Sequence, residues 1–141
     1  MKGVQYHLLI DMVERDRESD RELDAMLFYA TMPEFQRLGP MEIWLQTKSS
    51  KSLSIVPNYT GSIDAAFGLL YRLLPDWSHS HRSVEDGDGR FYEFNIVSPR
   101  NGLAHMHASR GWTLARACTA AALIGNMAIN PQVENDDILQ Y

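Results

Sequence analysis

Residues 77–108 read WSHSHRSVEDGDGRFYEFNIVSPRNGLAHMHA. Three strand-like runs stand out in them: Trp77 to Val84, Arg90 to Val97 and Leu103 to Ala108. Glu85-Asp86-Gly87-Asp88-Gly89 joins the first pair, and Ser98-Pro99-Arg100-Asn101-Gly102 joins the second. Glycine, aspartate, asparagine and proline each favour a tight chain reversal, so the runs predict an antiparallel three-stranded meander. In the middle run Tyr92, Phe94 and Ile96 alternate with Glu93 and Asn95, which predicts one apolar and one polar face.

Helices flank this stretch on both sides. Ser62 is an N-cap, Asp64 sits in the first turn, and Ile63, Ala66, Phe67, Leu70, Tyr71 and Leu74 share a face that Pro75 ends. Downstream, Arg110-Gly111 closes the sheet and Thr113 caps a helix running to about Ala128. Its face of Leu114, Ala117, Cys118, Ala121 and Gly125 is small enough for close packing. Further upstream, Asp20 caps a helix whose stripe is Leu23, Met26, Leu27 and Ala30, and Pro33 stops it. Between these helices Ile43-Trp44-Leu45 reads as a short strand and Thr47 to Ser54 as a polar loop. The fold class is therefore α+β, a small sandwich of a three-stranded antiparallel sheet against two or three helices. The Ser62 and Thr113 helices share one sheet face, and the Asp20 helix or the termini cover the other. The domain spans 20–130, with an N-terminal extension at 1–19 (Val4 to Val13 a short strand or helix) and an acidic tail at 131–141.

Composition bounds the function. The chain has 141 residues, 45% hydrophobic and 22% charged, the mix of one globular domain rather than a disordered segment. The lone Cys118 forbids an intramolecular disulfide and fits a reducing cytosol. No apolar run approaches the ~18 residues of a membrane span. A net charge of −5 argues against a surface that coats bulk nucleic acid, though not against a local basic pocket.

Several groups of residues could carry chemistry. His79-Ser80-His81 and His105-Met106-His107 each place two imidazoles on one side of a strand. Ala104, Met106 and Ala108 read as the inward face of the third strand, which sets its histidines opposite. With His79 and His81 on that same polar face, either pair plus Glu93 could hold a divalent metal ion. Arg82, Arg100 and Arg110, with Trp77, Tyr92 and Trp112, form the alternative, an anion pocket with stacking surfaces for a base. Neither a Gly-x-Gly-x-x-Gly nor a Walker-type glycine loop is present. Cys118 falls mid-helix among alanines, as an inert buried thiol does. The 85–89 segment lacks the closing glutamate of a calcium loop, since the twelfth position from Asp86 is Val97.

Two segments carry a family resemblance. Asp20-Arg21-Glu22-Leu23-Asp24-Ala25 and Pro57-Asn58-Tyr59-Thr60-Gly61-Ser62-Ile63-Asp64-Ala65-Ala66 resemble the corresponding stretches of the phage αβα sandwich domain. Trp77 after a leucine-rich helix and the alanine-rich helix from Ala115 to Leu123 are similar too, so the likeness spans about residues 20–126. It implies a phage or prophage origin and this architecture, and it supplies no catalytic signature. The expectation is a non-enzymatic phage accessory protein acting in the host cytoplasm, inhibiting an antiviral defence by sequestering a nucleotide-like signal. Three alternatives stand beside it: a cap on a host defence protein, a metal-dependent hydrolase using the histidine pairs, and a phage assembly protein working as a homo-oligomer.

Overall fold

The computed structural model describes residues 6–32, 56–99, 106–131 and 133. Four helices and three strands lie among them, in the order α1 (Tyr6–Arg15), α2 (Arg21–Thr31), α3 (Ile63–Leu73), β1 (Ser78–Asp86), β2 (Gly89–Val97), β3 (Met106–Gly111) and α4 (Leu114–Ile129). The strands form one antiparallel sheet in the order β1-β2-β3, as the turn chemistry predicts. The short strand at 43–45, the loop at 47–54, Arg100, His105 and most of the acidic tail lie outside the described residues.

Local chemistry sets the ends of the elements. Asp20, Ser62 and Thr113 are N-caps, each side chain accepting from a backbone N–H three residues on. The β1–β2 hairpin closes at Asp86 opposite Gly89, around Gly87 and Asp88. Asp86 Oδ1 accepts from the Asp88 N–H at 2.8 Å, and Gly89 takes φ +122°, which a side chain would strain. The third strand lies further along than the sequence suggests, ending at Gly111 rather than Ala108.

The core lies on one side of the sheet. α4 is the central helix, in contact with α1, α3, β2 and β3. It is buried over most of its circumference, from Ala115 through Leu123, because alanines allow close approach on several sides at once. Ser109 on β3 donates to the Ala117 carbonyl at 2.6 Å, and Phe67 on α3 meets Phe94 on β2 with ring centroids 5.8 Å apart. Both helices thus share one face, as expected. α3 is rolled slightly from the sequence reading, with Leu69 buried and Tyr71 53% exposed.

α1 departs most from expectation. Tyr6, Leu9, Ile10 and Val13 recur at i, i+3, i+4 and i+7 and are buried in the main core, so the stretch read as an extension helps build the domain. It lies along α4 and the end of β3, where Glu14 Oε2 accepts from the edge N–H of Arg110 at 2.8 Å. α2 does not cover the outer sheet face. It packs beside α1 and ties to the 56–62 segment through Asp24, which accepts from the Thr60 N–H at 2.9 Å. Ser78, Ser80, Arg82, Met106, Ala108 and Arg110 are exposed on that outer face.

Candidate functional site

The hairpin register decides where the histidines go. His79 pairs with Ile96 and His81 with Phe94, while His107 pairs with Ile96 from the other side. Residues paired across strands share a face, so all three histidines lie on the helix side of the sheet. His79 stacks on Phe94 at 5.5 Å, His81 stacks on the same ring at 5.8 Å, and His107 stacks on Trp77 at 6.1 Å. His79 also meets Phe67 and Tyr71, and its Nδ1 is buried without a hydrogen-bond partner among the described residues.

Glu93 lies on the opposite, outer face, between Arg82 and Arg110 in register, and its carboxylate accepts from Arg82 Nε at 2.8 Å. The expectation that Glu93 shares a face with the histidines is therefore corrected. The expected assignment of Met106 and Ala108 to the inner face is reversed as well. The inward positions of β3 are His107, Ser109 and Gly111, and the small size of the last two lets α4 approach. Among the described residues no three His, Cys, Asp or Glu side chains converge as a metal site.

The arginine and aromatic candidates separate into two ends of the sheet. Trp77 stands with His107 near the start of β3, and Tyr92 lies opposite Gly111 on the helix side. Arg110 and Trp112 stand together at the far end of β3. They line a cavity of about 330 Å³ with Asp11, Glu14 and Arg15 of α1, Phe91 of β2 and Gly111. The Arg110 guanidinium lies over the Phe91 ring at 3.9 Å, and Trp112 meets that ring edge-on at 6.3 Å. Arg17 covers Trp112 at 3.9 Å and donates to the Asp88 carbonyl, linking this corner to the hairpin tip.

The cavity is charged in both senses. Arg15 pairs with Asp11 at 3.3 Å, both side chains well exposed, and such a pair contributes at most about 1 kcal/mol. Arg110 is in no ion pair among the described residues. Its guanidinium edge, the two carboxylates and the indole are thus polar and stacking groups gathered in one concavity. Arg82 lies on the same sheet face, separated from Arg110 by Glu93 in the register.

Sequence reasoning missed Arg15, Asp11, Glu14 and Phe91 as neighbours of Arg110, and Arg17 as the cover of Trp112. The signal was the stripe of α1, which makes residues 6–15 a packed helix. Comparison of the chain with protein families, with characterised proteins and with solved structures finds no match.

Proposed function

We propose that the protein works by binding, and that it holds a nucleotide-like ligand in the corner between α1 and the end of β3. The observation that carries this reading is the joint lining of one cavity by Arg110, Trp112, Phe91, Asp11 and Glu14. A nucleotide presents a flat base, exocyclic N–H donors and an anionic phosphate. Trp112 offers the base a stacking surface, Glu14 and Asp11 accept from its amino groups, and Arg110 with Arg15 meets the phosphate. Binding is favoured over catalysis by the state of the reactive candidates. The Cys118 thiol is fully buried and pushed up to about 12, and Glu93 is separated from the histidines by the sheet itself.

The resemblance to the phage αβα sandwich domain supplies the setting. A small phage protein that holds such a ligand would withhold a nucleotide signal from a host antiviral defence. Native mass spectrometry of protein purified from cells, followed by calorimetric titration with linear and cyclic nucleotides, tests the reading. Saturable binding that weakens at least about tenfold in Arg110→Ala, with an unchanged circular dichroism spectrum, is expected. Failure of every nucleotide to bind, together with a clean apo mass, overturns it.

A further inference from the structure

We propose that β1 pairs edge to edge with β1 of a second copy of this chain, giving a two-fold dimer with a sheet continuous across both copies. β1 is nine residues long and pairs with β2 over its whole length without a bulge. Among the described residues nothing pairs with its other edge, and only His79 and Val84 of its side chains are even half-buried. Edge strands are commonly kept apart by proline, bulges or charged side chains, lysine above all; β1 has no proline, lysine or bulge, and its charged side chains are Arg82, Glu85 and Asp86.

The charges of β1 are sorted along its length. His79, His81 and Arg82 precede Ser83, whereas Glu85 and Asp86 follow it. Antiparallel self-pairing lays one half against the other. With the axis at Ser83, His81 faces the partner subunit's Glu85 and Ser80 faces the partner subunit's Asp86, each contact made twice. A register centred on Arg82 would oppose two guanidinium groups and is disfavoured. Both bonds from Arg90 to Glu85 end on Oε1, which leaves Oε2 to accept from the partner subunit's His81.

Among the described residues, space around the axis is open on both sides of the sheet. α3 covers β1 at His79, through Phe67 and Tyr71, and leaves His81, Ser83 and Glu85 exposed. The two copies of α3 therefore lie diagonally to either side of the axis. On the outer face Ser80 and Arg82 are exposed.

Sedimentation velocity over a micromolar-to-millimolar series tests the proposal, with hydrogen exchange of the β1 amides read in parallel on the wild-type chain. Expected is a concentration-dependent dimer with β1 protection rising as it forms. His81→Glu should weaken the dimer about tenfold, since two cross-strand contacts turn repulsive. The double variant His81→Glu with Glu85→Lys should recover most of the affinity. A monomer at every concentration, a dimer that His81→Glu leaves unchanged, or protection appearing only outside β1 would each overturn it.

Discussion

Arg116 is the residue on which the arrangement of α1 depends. It is fully buried near the start of α4, and its guanidinium donates to the carbonyls of Met12, Val13 and Glu18. It thereby satisfies backbone groups where α1 ends, and Asp16, Asp20 and Asp24 offset part of its charge. Burial nonetheless lowers its pKa, the mark of a desolvated cation. Arg116→Met should therefore destabilise the fold by about 3–5 kcal/mol in urea unfolding, because the carbonyls lose their donor. Nothing local announces this role, since its acceptors lie about a hundred positions away in the chain. Cys118 and Tyr6 give a second prediction at this scale. Burial pushes the thiol from 9.0, and the phenol from 10.0, up to about 12 in each case. Both folded values exceed the unfolded ones, so stability is complete below 9.0 and is lost as pH rises towards about 12. Each group then removes about 1.4 kcal/mol per pH unit within its window. Urea midpoints should fall steeply above 9.0, and less steeply in Cys118→Ala; a flat alkaline profile would contradict the burial.

At the scale of elements, two glycines let α4 sit close to its neighbours, and they differ in what stands against them. A Cβ at Gly111 would collide with the backbone of α4, reaching the Arg116 carbonyl carbon at 2.9 Å. At Gly125 the nearest atoms it would meet are the side-chain ends of Leu74 and Ile96. Gly111→Ala should accordingly cost about 3 kcal/mol and Gly125→Ala about 1 kcal/mol, since side chains yield more readily than backbone. Equal midpoints for the two variants would contradict this packing. The caps at Asp20, Ser62 and Thr113 and the order of the strands were legible because each depends on residues a few positions apart. The faces of β1 and β3 were not read correctly, for a specific reason. Ser109 and Gly111 look neutral in sequence, yet they face inward because α4 needs small neighbours, whereas apolar Met106 faces out at 45% exposure. A hairpin closed by Gly87 and Asp88 already fixes His81 opposite Phe94, so the position of the first histidine pair was within reach of the turn chemistry.

For the whole molecule, the segments at 20–25 and 57–66 serve the fold. Thr60 joins to Asp20 and Asp24, Tyr59 accepts from Thr119 of α4, and Ser62 begins α3. Those residues hold the helices together at one place, while the proposed ligand corner joins α1 to the far end of β3, nearly a hundred positions away in the chain. That assembly from distant parts of the chain explains why the architecture could be read from sequence more fully than the site. It also directs the decisive test to Trp112, the stacking residue of that corner. Tryptophan fluorescence is to be followed during nucleotide titration in the wild type, Trp77→Phe and Trp112→Phe. A saturable change that persists in Trp77→Phe and disappears in Trp112→Phe is expected. A saturable change that survives Trp112→Phe, or no change in any of the three proteins, would contradict it.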